Sequence, residues 1–61
     1  MTKQDYIKKY STYWNDAGDM YEQIQKKMKD FGSISFVQTY FSRQIRNVSL
    51  QAIADACGKR L

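Results

Sequence analysis

Histidine and proline are absent from this 61-residue sequence, cysteine occurs once and glycine only three times. Without histidine, the commonest general base near neutral pH is missing, and so is the commonest metal ligand. One thiol, Cys57, and six scattered carboxylates make no recognisable metal site, and no glycine-rich phosphate loop occurs. No cofactor, metal or small-molecule substrate is therefore expected, and the chain reads as a binding protein and not an enzyme. A single cysteine forms no intramolecular disulfide and suits a reducing compartment, which points to the cytoplasm. No apolar run approaches the ~18 residues that a membrane span needs. The start, Met1-Thr2-Lys3-Gln4-Asp5, is polar and leads into no signal-peptide hydrophobic segment.

What the sequence does hold is apolar and aromatic material. Hydrophobic residues make up 43% of it, with five tyrosines, three phenylalanines and one tryptophan, too rich a mixture for a disordered chain. The shortage of helix breakers suits an all-α fold. Residues 1–61 are long enough for one small helical domain. A chain of this size buries only ~60% of the surface that its unfolded form exposes. Below ~70–80 residues a core without disulfide or metal staples usually needs very good helix packing or a partner chain. A homo-oligomer, most simply a dimer, is expected to complete the bundle.

The apolar residues keep helical time from Tyr6 to Phe31. Tyr10, Ala17, Ile24 and Phe31 form one seven-residue row, and Ile7, Trp14, Tyr21 and Met28 form another. A third row, Tyr6, Tyr13 and Met20, breaks at Lys27. Three adjacent rows make a stripe wider than a two-stranded coiled-coil seam. The repeat predicts one long helix, ~3–31. Within it, Asn15-Asp16-Ala17-Gly18-Asp19 offers a helix-ending glycine, then Asp19 as a new N-cap with Glu22 three residues on. A kink or a break near Gly18 stays open beside the continuous helix. Gly32 marks a helical hairpin turn, with Ser33 or Ser35 to cap the next helix. Ile34, Val37, Phe41, Ile45 and Val48 then predict a helix over ~34–46. Residues 35–41 are also rich in strand formers, but a lone strand would have no partner in this chain. Ser49 is a good N-cap for a last helix, ~50–57, which Gly58 ends. The expected architecture is a small helical bundle.

Two surfaces are candidate sites. Tyr6, Tyr10, Tyr13, Trp14 and Tyr21 crowd the first helix, and each polar ring atom needs a partner or water. Tyrosine and tryptophan also dominate binding hot spots, so these five are candidates for a partner or oligomer interface, with ordinary core as the plainer alternative. The second surface is basic. Residues 1–30 are nearly balanced, whereas residues 31–61 carry Arg43, Arg46, Lys59 and Arg60 against Asp55 alone. Gln38, Ser42, Arg43 and Arg46 fall near one side of the third helix. With Lys59 and Arg60 they are the candidate nucleic-acid contacts, since glutamine and arginine reach base edges while serine and arginine reach phosphates. Asp16, Asp19 and Glu22 read as helix caps or a solvated patch, and Cys57 as core.

The segment Ser49-Leu50-Gln51-Ala52-Ile53-Ala54-Asp55-Ala56-Cys57-Gly58 resembles one helix of a helix-turn-helix regulator, through Ile53-Ala54 and the glycine four residues later. The resemblance covers this one segment and implies DNA binding. In that motif a recognition helix follows the glycine, whereas here only Lys59-Arg60-Leu61 follow, and no residue role is carried over. The sequence thus favours a nucleic-acid-binding regulator acting as a dimer. A protein-binding inhibitor or adaptor using the tyrosine face is the second reading, and a structural subunit of a larger assembly the third.

Overall fold

The computed structural model describes residues 1–45 and 48–59. Among them are four helices and no strand: α1 (Lys3–Tyr10), α2 (Ala17–Phe31), α3 (Ile34–Ser42) and α4 (Leu50–Cys57). The segment 35–41 is thus helical, its strand-forming residues overridden by packing. α2 lies at the centre and packs against the other three, while α4 also meets α1 and α3.

The expected single helix over 3–31 is two helices. α1 stops at Tyr10, and the chain turns on two bonds to one acceptor: the Tyr13 and Trp14 amides both donate to the Tyr10 carbonyl, at 3.0 and 2.9 Å. Asp16, not Asp19, then caps α2. Its Oδ1 accepts from the Asp19 amide at 3.0 Å, and Asp19 adds a favourable negative charge to the first turn. Gly18 ends nothing; it sits inside that first turn. A Cβ there would stand 3.3 Å from Ile7 Cδ1, so the glycine lets α1 approach α2 closely. The seven-residue repeat survives the break because both helices bury their apolar faces in one core. Periodicity reports which residues face inward, and the turn returns the chain in phase.

The remaining boundaries are closer to expectation. Gly32 ends α2 in the left-handed region at φ 70°, and its amide donates to the Met28 carbonyl at 2.8 Å. Ser33 occupies the N-cap position of α3 without a side-chain cap bond. α3 ends earlier than expected, at Ser42, and the Gln44 and Ile45 amides both turn back to the Phe41 carbonyl. Arg46, the expected end of this helix, lies outside the described residues. α4 starts where Ser49 Oγ accepts from the Ala52 amide at 3.1 Å, and Gly58 closes it.

Tyr6, Tyr10, Trp14, Met20, Ile24, Val37, Phe41, Val48 and Ile53 form the core, with Ala17, Ala52 and Ala56. Burying each of the larger side chains contributes about 1.5–3 kcal/mol. The radius of gyration is 10.2 Å, against about 10.5 Å for a compact chain of this length. Among the described residues no helix is long and apolar enough to cross a membrane.

Candidate functional site

The tyrosine-rich stripe is largely interior. Tyr6, Tyr10 and Trp14 are all buried, and their rings follow one another at four-residue spacing. Tyr6 stacks on Tyr10 with centroids 4.4 Å apart, and Tyr10 lies 6.5 Å from Trp14. Tyr21, half-buried, tilts against Tyr6 at 5.3 Å. Their polar atoms are satisfied within the chain. Trp14 Nε1 donates to Tyr6 Oη at 3.3 Å, and Tyr6 Oη donates to the Ala52 carbonyl at 3.1 Å. Tyr10 Oη donates to Asp55 Oδ2 at 2.6 Å. Burial, opposed in part by the Trp14 bond, pushes the Tyr6 phenol up to about 12. Burial and the Asp55 carboxylate raise Tyr10 as well. These rings hold α1 onto α4 and are not presented to a partner in this conformation.

Asp55 is the polar hub of that contact. Besides Tyr10, it accepts from Lys9 Nζ at 2.9 Å and from Gln51 Nε2 at 2.7 Å. Burial alone would raise its carboxyl, but the bonds from Tyr10, Lys9 and Gln51 together hold it below the usual carboxylate range. The other carboxylates singled out in the sequence are engaged in the frame. Asp16 caps α2, and Glu22 pairs with Lys3 at 3.3 Å. Cys57 is half-buried against the core; burial pushes its thiol up, opposed by Lys59. Among the described residues no three His, Cys, Asp or Glu side chains gather as a metal-ligating group.

Tyr13 is the exception in the stripe. It falls in the turn between α1 and α2 and is 70% exposed. A groove of about 390 Å³ lies on one side, lined by Lys9, Ser49 and Gln51 over Tyr10 and Trp14. Another of about 310 Å³ lies on the other side, lined by Asn15, Asp16 and Asp19 over Trp14, Met20 and Ile45. Lys9 in the first is already paired with Asp55, whereas the second carries Asp16 and Asp19; the two share the Tyr13–Trp14 edge.

The expected nucleic-acid face is rearranged in the folded chain. Gln38 turns inward, its Nε2 donating to the Val48 carbonyl at 2.9 Å, and so ties α3 to the approach of α4. Ser42 Oγ donates to the Thr39 carbonyl and Thr39 Oγ1 to the Ser35 carbonyl. Arg43 is exposed at the end of α3. Lys59 is exposed too, but lines a separate shallow cleft with Gln25, Met28, Lys29 and Cys57. Arg46 and Arg60 lie outside the described residues.

A different set of residues comes together on α3. Val37 and Phe41 face the core, while Phe36 is 67% exposed. Phe36, Tyr40 and Arg43 stand at i, i+4 and i+7, one above another along the outer side. Phe31, 41% exposed at the end of α2, extends this row, its ring 5.6 Å from Tyr40. Lys27 Nζ sits 4.8 Å above the Tyr40 ring, a cation–π contact. Gln44 and the Lys27 ammonium draw the Tyr40 phenol below its ordinary value. The result is a row in which Phe36 and Phe31 are exposed, Tyr40 is half-buried between Lys27 and the core, and Arg43 is exposed at one end. Residues 31–54 contain no Asp or Glu. Asp30, 4.0 Å from Lys27, is the carboxylate at its border. Two signals in the sequence point to this ridge: α3 has more aromatics than its buried side uses, and a long stretch around it lacks acids.

Comparison with protein-family models, curated proteins and solved structures gave no match to this chain.

Proposed function

We propose that this chain is a non-enzymatic nucleic-acid-binding module, a small regulator that docks through the outer side of α3. The observation that carries the reading is the outer side of α3, where exposed Phe36 and Arg43 flank half-buried Tyr40 within residues 31–54, a stretch free of carboxylates. Phe36, one turn before Tyr40, and Phe31, packed against Tyr40, leave apolar ring surface exposed on this side of the molecule. Cations without interspersed acids favour an anionic partner, and rings beside cations are the combination that nucleic acids use, through stacking and phosphate contact. Arg46, next along the chain, adds a charge to the same stretch. A dimer, suggested by the short chain, would double the phosphate contacts and steepen the salt dependence.

The test is binding of labelled nucleic acid across a salt series with Arg43→Ala beside wild type. Wild-type affinity should fall steeply with salt, and Arg43→Ala should lower the slope of log affinity against log salt by about 1. An unchanged slope would remove Arg43 from the interface. A second reading rests on Tyr13. An exposed ring between two grooves, one of them carrying Asp16 and Asp19, suits a protein target, as an inhibitor or adaptor would have. Tyr13→Ala, rather than a change at buried Trp14, is the variant that tests it.

A further inference from the structure

We infer that the groove lined by Tyr13, Asp16 and Asp19 receives an arginine side chain of a protein partner, its guanidinium stacked on the Tyr13 ring and paired with the two carboxylates. This goes beyond the α3 reading; it rests on the Tyr13 reading and names the chemistry of the target.

Charge decides the class of occupant. The chain carries a net charge of +4, yet from Tyr10 to Gln25 it has no lysine or arginine, while Asp16, Asp19 and Glu22 all fall there. Glu22 is drawn off to Lys3 at 3.3 Å. Asp16 spends Oδ1 on the Asp19 amide as the cap of α2. Among the described residues its second oxygen and the Asp19 carboxylate meet no hydrogen-bond donor and no cation. Asp19 favours the positive end of α2, but that effect needs no contact and leaves its oxygens uncommitted. Two negative charges also outweigh the roughly +0.5 of a helix N-terminus, so the groove attracts cations. The same carboxylates repel phosphates, which sets this edge against nucleic acid and in favour of a basic protein segment.

The apolar half of the site is already in place. Tyr13 is 70% exposed, more than any other large hydrophobic side chain described. Its amide is tied to the Tyr10 carbonyl at 3.0 Å and its ring rests against Tyr10, with centroids 5.8 Å apart, so little ordering is left to bind. Beside the ring, the groove of about 310 Å³ runs over Trp14, Met20 and Ile45, with Asn15, Asp16 and Asp19 as its polar lining. Such a lining suits a long basic side chain, whose methylene stem covers apolar surface while its charged head stays at the polar edge. Arginine uses both halves at once: its planar guanidinium stacks on an aromatic face and still donates to a carboxylate. Lysine offers a compact, strongly hydrated point charge that pairs with the carboxylates but gains less from the ring.

The experiment is an NMR titration of the isotope-labelled full chain at low salt, read from backbone amide shifts, which reach dissociation constants on the order of 1 mM. The probes are a capped hexapeptide of alternating arginine and glycine and its lysine and glutamate counterparts. Tyr13→Ala, Tyr13→Phe and the pair Asp16→Asn with Asp19→Asn are measured beside wild type, with circular dichroism as the control for folding. Tyr13 is mostly exposed, and asparagine caps a helix as well as aspartate does, so these changes spare the fold. The inference expects the arginine peptide to bind more tightly than the lysine peptide, with shifts gathered on Tyr13, Asp16, Asp19 and Met20, and the glutamate peptide not to bind. Tyr13→Ala should weaken arginine binding about threefold while Tyr13→Phe retains it, and the double asparagine change should weaken it about fivefold. Equal binding of arginine and lysine peptides, with Tyr13→Ala neutral, would overturn the stacked guanidinium. Binding of the glutamate peptide that depends on Tyr13 would overturn the cation and leave the Tyr13 reading standing. No shift from any peptide would overturn this inference and the Tyr13 reading together, and leave the α3 reading untouched.

Discussion

Removing one oxygen atom from the middle of the core tests how this small domain holds together. Tyr6 is fully buried, and its hydroxyl is the link between two elements: it accepts from Trp14 Nε1 at 3.3 Å and donates to the Ala52 carbonyl at 3.1 Å. Tyr6→Phe leaves the ring, its 4.4 Å stacking on Tyr10 and its volume in place. It strips the buried Trp14 N–H of its acceptor. A buried donor left without a partner costs about 1–3 kcal/mol. The Trp14 bond is long, and the hydroxyl no longer has to be desolvated, so the lower half of that range, about 1–2 kcal/mol, is expected. For a chain this short that is a fall in Tm of roughly 8–15 °C. Urea unfolding followed by the fluorescence of Trp14, the only tryptophan, should show a lower midpoint with an unchanged slope. Alkaline pH supplies an independent check. The folded-state Tyr6 pKa of about 12 lies above the unfolded value near 10. Its contribution is therefore complete below pH ~10 and is lost as pH rises toward ~12. Tyr6→Phe should lose the part of that alkaline destabilisation due to Tyr6, while Tyr10, also raised, keeps its own. A variant as stable as wild type at neutral pH would refute the reasoning. Ring packing and the Asp55 contacts would then hold α1 to α4, and the hydrogen-bond chain through Tyr6 would contribute nothing.

Two further outcomes concern the frame around the ridge. Asp55 has a folded pKa below its unfolded value, so its stabilisation is present above the unfolded value and is lost as pH falls through the folded one. Asp55→Asn should cost about 1–2 kcal/mol at neutral pH, and the gap in urea midpoint between it and wild type should close on acidification below pH ~4; a gap that persists in acid would mean the charge of Asp55 is not what holds Lys9 and Tyr10. Ser49→Ala removes the acceptor of the Ala52 amide and should lower stability by about 1 kcal/mol in the same assay, whereas no loss would show that tertiary packing alone starts α4.

Much of the inward-facing set is readable in the sequence. The rows Tyr10, Ala17, Ile24 and Tyr6, Met20, together with Val37, Phe41 and Ile53, all reach the core because helical periodicity follows from the geometry of the backbone itself. Gly32 and Ser49 punctuate the chain through local chemistry, a left-handed backbone and a side-chain cap, and local chemistry survives into the fold. The break after Tyr10 was less legible. A six-residue segment that returns the chain in phase leaves the repeat intact, and only the capping of Asp16 and the approach of Ile7 to Gly18 separate two helices from one.

Sequence alone therefore determined the class of fold, most of the apolar rows and several of the helix ends, since each depends on residues within a turn or two of one another. Tertiary structure decided which polar groups are spent inside and which stay exposed. Tyr6, Tyr10 and Trp14 find acceptors 8 to 46 residues away along the chain, and Gln38 finds the Val48 carbonyl. Nothing in their local sequence distinguishes them from Tyr13, Phe36 or Arg43, which the fold leaves outside. Partners of that kind depend on helices meeting in space, and so the candidate site moved from the tyrosine stripe and Gln38 to the outer side of α3.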